Sequence, residues 1–186
     1  MIVWINGTFG VGKTTTANTV AERTDWRTFD PEHVGYLLAG NLRDLDFVDF
    51  QDLPPWRALV PAVADEIYRY TNPTAMLAVQ TVLVEKYWHE LATGLLERGL
   101  PVLHVVLDCE DNELRRRIED DEVESQALEW RLDHMAKFSD ARPWLVQAAD
   151  LVLDTTNLTP EDSALIIVEA VEQAKTAAAK SGQGPD

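Results

Sequence analysis

Residues 7–14 of the chain read Gly7-Thr8-Phe9-Gly10-Val11-Gly12-Lys13-Thr14. Glycines, a lysine and a threonine at these spacings are typical of the Walker A loop, whose backbone N–H groups surround the phosphates of a nucleoside triphosphate. The apolar run 2–6 precedes the loop, and the helix-compatible segment 13–23 follows it. The loop therefore stands at the strand-to-helix turn that phosphate binding requires, where the positive end of the helix adds to the attraction.

The Walker A pattern assigns a role to each loop residue. We expect Lys13 to reach the β- and γ-phosphates of ATP during catalysis, and the Thr14 hydroxyl to ligate Mg²⁺. A glycine-rich turn without a ligand is the alternative, and the context of strand, loop and helix argues against it. The other predicted ATP contacts of this segment are Gly7, Thr8, Phe9, Gly10, Val11, Gly12 and Thr15.

Composition narrows the classes of partner and compartment. The 186 residues fit one domain, predicted over 1–179 with a disordered tail at 180–186, and their formal net charge is −16. This excess of acids argues against a nucleic-acid partner, because phosphate backbones are bound through accumulated Lys and Arg. A single cysteine, Cys109, excludes an internal disulfide. No signal peptide is predicted and no apolar run could span a bilayer, so we expect a cytoplasmic protein with no integral membrane segment. We expect it to be a monomer or a homodimer.

Short strand-like runs alternate with helix-like segments along the chain. Because such alternation is typical of a parallel sheet covered by helices on both faces, we predict an α/β fold with a five-stranded parallel sheet. Ligands bind such sheets at the carboxyl ends of the strands, so we expect functional residues just after the first three strands. The predicted strands are 2–6, 26–29, 75–80, 102–107 and 151–153, and the predicted helices after 13–23 are 31–43, 56–70, 85–98, 113–118, 127–138 and 161–179.

The phosphate loop alone does not choose among the classes of P-loop protein. The chain lacks the guanine-reading motif Asn-Lys-x-Asp and the transporter motif Leu-Ser-Gly-Gly-Gln. It is also too short for a separate oligomerising ATPase domain. A small-molecule kinase and a nucleotide-gated binding protein are the classes that remain.

Two segments supply candidate substrate contacts. Asp30, after the second strand, is predicted to orient a substrate hydroxyl and accept its proton, while capping of the next helix is the alternative. Glu32 shares this site or complements the helix dipole. In the segment 49–57, an amide, an aromatic ring and a guanidinium suit a polar ligand with a flat or sugar-like face, and the alternative is a turn with the ring in the core. The candidate contacts in that segment are Gln51, Trp56 and Arg57.

A lid is expected at residues 115–142. Helical spacing lets at most one or two of the three arginines at 115–117 face a nucleotide, and we assign Arg117 to catalysis and ATP binding. The acidic run 119–124 would repel a triphosphate and is interpreted as a solvated surface. Arg131, or alternatively Arg142, would then supply the cation that neutralises charge during transfer.

No carboxylate is placed to hold Mg²⁺ in the usual Walker B position. The third strand, expected beside the first, ends in Gln80 and Thr81, whereas Asp108 ends a strand expected on the opposite side. Thr14, the phosphate oxygens and water can hold Mg²⁺ without further protein ligands. Because it follows the third strand, Gln80 is assigned to the substrate site.

Taken together, these motifs resemble the tunicamycin-resistance ATP-binding protein family in order and spacing. The resemblance rests on residues 1–14, on Asp30-Pro31-Glu32 with Gly35, and on 49–51 with 54–57; it is looser from the third strand onward. It implies a P-loop core like that of adenylate or shikimate kinase, ATP binding, and protection against tunicamycin, a nucleoside antibiotic with uracil, sugars and a fatty acyl chain.

The resemblance also implies where the drug would lie. Asp30 would stand beside its reactive hydroxyl, and Gln51, Trp56 and Arg57 would line its site. The apolar face of 56–70 is a candidate groove for the acyl chain, with ordinary core as the alternative; its residues are Leu59, Val60, Val63 and Ile67. The leading hypothesis is an enzyme that transfers the γ-phosphoryl of ATP to a hydroxyl of tunicamycin or a related nucleoside antibiotic. The alternatives are ATP-dependent sequestration of the drug without chemistry, and a P-loop kinase for another small molecule.

Overall fold

The computed structural model describes residues 1–121 and 125–181. Its parallel strands form one sheet in the order β2-β3-β1-β4-β5, so β1 lies between β3 and β4. The predicted five-stranded parallel sheet is confirmed, and β3 and β4 do lie on opposite sides of β1. The strands are β1 (Ile2–Asn6), β2 (Arg27–Phe29), β3 (Met76–Val79), β4 (Val102–Asp108) and β5 (Leu151–Asp154).

Helices cover both faces of the sheet because every residue of β1 is buried and its side chains alternate between two cores. Val3 and Ile5 pack with α1 and α7, whereas Ile2 and Trp4 pack with α3 and α4. The result is a three-layer α/β arrangement. The helices of the described residues are α1 (Lys13–Arg23), α2 (Glu32–Asn41), α3 (Pro54–Thr71), α4 (Glu85–Leu96), α5 (Asp111–Glu119), α6 (Leu128–Ala148) and α7 (Pro160–Ser181), with short 3-10 helices at Phe50–Asp52 and Ser125–Ala127.

One helix is much longer than predicted. The sequence pattern ends it at residue 138, but α6 continues through Pro143 to Ala148. Proline is unfavourable in a helix interior, yet Phe138, Ala141 and Leu145 are buried against Val106 of β4, and this burial holds the extra turns in place.

Parts of two predicted segments lie outside the described residues: 122–124 of the predicted lid and 182–186 of the predicted tail. Helix α7 ends at Ser181, the second residue of that tail. Of the helices in 1–121 and 125–181, none is both long enough and apolar enough to cross a membrane.

Candidate functional site

The Walker A segment forms the turn between β1 and α1. Gly7, Gly10 and Gly12 have φ of 138°, 77° and 97°, a region that L side chains rarely adopt. At Gly7, a methyl group would also lie 2.6 Å from the carbonyl oxygen of Leu107 in β4. These positions require glycine, and the resulting curl is what a phosphate-binding loop needs.

The loop opens on a cavity of about 460 Å³ at the carboxyl edge of the sheet. Its wall combines the start of α1 with side chains from α5 and α6. The structure therefore brings together predicted ATP contacts that are far apart in the sequence. The predicted residues that line it are Gly10, Gly12, Lys13, Thr14, Thr15, Arg117 and Arg131; Arg116, Asp120 and Asp121 line it as well.

Lys13 is folded back onto its own loop. Its ammonium donates a hydrogen bond to the Thr8 carbonyl oxygen over 2.7 Å and lies 5.3 Å from the centre of the Phe9 ring. Burial lowers the pKa of Lys13 to about 7. The negative charge of Glu32 raises this pKa and the positive charge of Arg131 lowers it, but burial has the largest effect. Incoming phosphates would offer this ammonium stronger, charged acceptors.

Arg131 lies in the cavity wall and is almost fully buried. Its Nη1 donates to Asp121 Oδ2 over 2.8 Å. Asp120, the neighbouring acid, accepts from Arg116 at the same distance. The interpretation of the acidic run as a solvated surface holds for Asp120, whose side chain is 65% exposed. It is wrong for Asp121, because this carboxylate is partly buried and ion-paired to Arg131 in the cavity wall.

Arg117 fastens α5 to the loop after β5. Its guanidinium donates to Glu113 over 2.8 Å and to the carbonyl oxygen of Thr155 over 2.7 Å. The Thr155 hydroxyl in turn donates to the carbonyl oxygen of Val11 in the Walker A segment. Arg117 is thus held in place where it lines the cavity. Hydrogen bonds from Arg116 and Arg117 lower the pKa of Glu113 to about 2.

Buried polar atoms without a partner are concentrated at this edge of the sheet. Among the described residues they include Thr8 Oγ1, Gln80 Oε1 and Arg131 Nε. A buried polar group without a hydrogen bond costs about 1–3 kcal/mol unless a ligand or water satisfies it. Thr8 belongs to the loop, Arg131 to the cavity wall, and Gln80 directly follows β3. The pattern supports a polar ligand at this edge.

The cavity offers few groups that could hold a metal. Thr14 is exposed and lines the cavity. Asp108 is engaged elsewhere, because it pairs with Arg142 at 3.0 Å and accepts the Cys109 backbone N–H. Within 1–121 and 125–181, no group of three or more His, Cys, Asp and Glu side chains could hold a metal ion. The residues fit Mg²⁺ only as a partner of bound phosphates and water, with Thr14 as the protein ligand.

Asp30 lies two residues before the first residue of α2 and bonds to that residue, as the capping alternative describes. Its Oδ1 accepts the backbone N–H of Glu32 over 2.8 Å, and its Oδ2 lies 3.9 Å from His33 Nε2. The side chain is half exposed, so the second carboxylate oxygen stays accessible. Glu32 accepts a hydrogen bond from the Tyr36 hydroxyl and is close enough to Lys13 to raise its pKa. Capping and a role toward substrate are therefore compatible.

An apolar groove of about 360 Å³ runs beside Asp30 between α2 and α3. Val63 and Ile67, two of the residues predicted for an acyl-chain groove, line it together with Phe29, Val34 and Leu37. Val60, from the same predicted face, is fully buried in the core instead.

The predicted contacts Gln51 and Arg57 hold a loop in place. The Gln51 amide donates to the Thr81 carbonyl oxygen over 2.9 Å, and the Thr81 hydroxyl donates to the Gly7 carbonyl oxygen over 2.8 Å. Arg57, nearly buried, donates to the Gln51 carbonyl oxygen and to Glu90. Neither lines the Walker A cavity. Gln51 reaches the phosphate loop only indirectly, through Thr81 of the loop after β3.

The prediction that Trp56 stacks on a substrate is wrong for this structure. Its side chain is fully buried in the core between α3 and the sheet, and its Nε1 donates to the Pro31 carbonyl oxygen over 3.1 Å. A ring with no exposed face cannot receive a ligand. The ring is in the core because this position of α3 faces the sheet, where a large apolar side chain is buried.

The structure instead places a different tryptophan at the loop. The Trp130 ring of α6 lies 4.6 Å from the Phe9 ring and 4.1 Å from the His134 ring. Trp130 is 51% exposed. Sequence reasoning missed it because nothing in the local pattern indicates that α6 lies across the phosphate loop.

Comparisons with known proteins agree with this geometry. A family model described as AAA domain matches residues 3–131. The Deinococcus radiodurans tunicamycin resistance protein is 29% identical, with 91% of this chain and 94% of that chain covered and a TM-score of 0.67. A sugar kinase from Janibacter sp. HTCC2649 is 20% identical, with 92% and 94% covered and a TM-score of 0.63. Shikimate kinase from Acinetobacter baumannii is 17% identical, with 94% of each chain covered and a TM-score of 0.60. No curated protein sequence matches this chain.

These likenesses confirm the predicted fold class, a three-layer P-loop fold like that of shikimate kinase. The predicted likeness to tunicamycin resistance proteins is also confirmed, and it extends over most of the chain. A P-loop kinase-like fold implies binding of an ATP-type nucleotide. The chain belongs to the AAA domain family and is a P-loop, kinase-like relative of the tunicamycin resistance protein.

Proposed function

We propose that this protein is a phosphotransferase that moves the γ-phosphoryl of ATP to a hydroxyl of tunicamycin or a related nucleoside antibiotic. The observation that carries the proposal is the placement of three cations, Lys13, Arg117 and Arg131, around one cavity at a glycine loop of Walker A geometry. Phosphoryl transfer depends mainly on positioning and on stabilising charge on the transferring oxygens, and this cavity supplies both.

The acceptor enters from the side of Asp30. Its free carboxylate oxygen orients the attacking hydroxyl and takes the proton as the oxygen–phosphorus bond forms and ADP leaves. The buried Gln80 Oε1, which has no hydrogen-bond partner, accepts a hydrogen bond from a second polar group of the phosphoryl acceptor. The groove lined by Val63 and Ile67 takes an apolar portion such as an acyl chain. Mg²⁺, held by Thr14 and the phosphates, would neutralise charge between the β- and γ-phosphates.

The acceptor class rests on the likeness to the tunicamycin resistance protein, and the kinase neighbours support transfer as the reaction. The test incubates the full chain with Mg-ATP and tunicamycin and follows the drug by mass spectrometry. A drug heavier by one phosphoryl group, formed with ATP and not with a non-hydrolysable analogue, is the expected product. Drug binding that depends on ATP without any such product would replace transfer by sequestration, and binding of neither ligand would direct the search to other hydroxyl compounds.

A further inference from the structure

The aromatic side chains at the phosphate loop form a compact cluster on one side of an exposed ring. Phe9 meets His134 edge to face at 5.3 Å, and both rings contact Trp130. His134 is nearly buried, and its Nδ1 lies 2.7 Å from the Trp130 carbonyl oxygen. The indole thus contacts two aromatic rings, while about half of the surface of Trp130 is open.

The position of the cluster relates it to the transferring phosphate. The Lys13 ammonium, which is expected at the β- and γ-phosphates, lies 5.3 Å from the centre of the Phe9 ring. Arg131, the residue after Trp130, lines the cavity at the Walker A loop together with Lys13. The exposed Trp130 ring thus lies against Phe9 of the phosphate loop, on the helix that also supplies Arg131 to the cavity wall.

We infer that Trp130, backed by Phe9 and His134, is a stacking platform for a ring of the acceptor, either a nucleobase or the C–H face of a sugar. The inference rests on the proposed function and deepens it by naming the chemical class of the acceptor, a hydroxyl compound that carries such a ring. An indole suits this use because its large rigid face gains contact at little cost in conformational entropy. A stacked base typically loses about 5- to 150-fold in affinity when the aromatic residue becomes alanine.

The test measures binding of tunicamycin by calorimetry to the full chain saturated with a non-hydrolysable ATP analogue. Trp130→Ala is expected to raise the Kd for the drug about tenfold or more, whereas Trp130→Phe, which keeps a ring, stays within about threefold of wild type. The Kd for the ATP analogue remains within about twofold in both variants. Tyr70→Ala, which removes a 92% exposed aromatic ring at the end of α3, is the matched control and leaves both affinities unchanged.

Uridine and N-acetylglucosamine as competitors identify the ring, because the fragment whose binding weakens in Trp130→Ala is the one that stacks. The thermal midpoint and circular dichroism of each variant separate lost stacking from lost folding. Unchanged drug affinity in a folded Trp130→Ala protein would overturn the inference alone, as would a selective loss of nucleotide affinity. If the wild-type protein with bound nucleotide does not bind tunicamycin, the proposed function falls and this inference falls with it.

Discussion

The ammonium of Lys13 donates its hydrogen bond to the carbonyl oxygen of Thr8, 2.7 Å away in the same loop. In the free protein the lysine is thus satisfied internally, and burial lowers its pKa to about 7. Phosphates that replace the carbonyl as acceptors favour the charged form and so raise this pKa. Nucleotide binding must then be coupled to proton uptake whenever Lys13 is neutral beforehand.

The first prediction concerns pH. Below pH 7 Lys13 already carries its proton in the free protein. Above pH 7 it must take up a proton when the nucleotide binds, and this uptake costs more free energy with each further pH unit. The affinity for a non-hydrolysable ATP analogue therefore falls as the pH rises. Between about pH 6 and pH 8 the Kd should increase about tenfold. Lys13→Arg, which stays charged throughout, should lack this component while sharing the titration of the nucleotide itself. Identical pH profiles for the two proteins would contradict the lowered pKa.

The second prediction concerns the ion pair between Arg131 and Asp121 at the cavity wall. Asp121→Asn removes a negative charge beside the phosphate site and leaves Arg131 with a neutral amide oxygen in place of a carboxylate. We expect ATP to bind about three- to tenfold more tightly, while the thermal midpoint of the free protein falls and that of the complex does not. Asp140→Asn, at an exposed position of α6, the helix that carries Arg131, is the control and should change neither quantity. Weaker ATP binding in Asp121→Asn would show that Asp121 assists the site.

The third prediction uses two glycines of α2. A methyl group at Gly35 would lie 2.6 Å from the Phe50 ring, whereas at Gly40 it would meet nothing within 4 Å. Gly35→Ala should lower the free energy of unfolding by about 1–3 kcal/mol through overpacking. Gly40→Ala should raise it by up to about 1 kcal/mol, because alanine favours helix. Urea denaturation measures both, and equal effects would mean that α2 and Phe50 do not pack as described.

The fourth prediction tests whether Trp56 acts as a core residue or as a substrate contact. Trp56→Phe leaves the Pro31 carbonyl oxygen without its indole donor and opens a small cavity, so we expect a loss of about 1–3 kcal/mol in stability. Nucleotide and drug affinities of the folded variant should stay within about twofold of wild type. A variant of normal stability with weakened drug binding would restore Trp56 to the substrate site.

The sheet and the phosphate loop could be predicted because their signals are local. Glycines at Gly7, Gly10 and Gly12 meet a backbone requirement that no other residue meets, and buried strands such as β1 read as continuous apolar runs. Even so, the end of α6 was placed too early, because the burial that carries this helix past Pro143 depends on its contact with β4.

The candidate site was less predictable because it is assembled by tertiary contacts. A tryptophan beside an arginine looks the same in sequence whether the ring is buried, as Trp56 is, or half exposed against the phosphate loop, as Trp130 is. Likewise, Gln51 and Arg57 have the chemistry of ligand contacts, and only the folded chain reveals that Gln51 bonds to the loop after β3 while Arg57 bonds to Gln51 and Glu90. Residue type predicts what a side chain can do; the packing of distant segments decides whether a ligand can reach it.

The most direct test of phosphoryl transfer follows label from γ-labelled ATP into tunicamycin with wild-type protein and with Asp30→Asn. Asparagine caps a helix about as well as aspartate, so stability and ATP affinity should hold while the general base is lost. The predicted result is labelled drug from the wild type, at a rate about 10²- to 10⁴-fold higher than from Asp30→Asn. Wild-type protein that binds both ligands yet never labels the drug would contradict transfer itself, and an Asp30→Asn variant with the wild-type rate would contradict the role of Asp30.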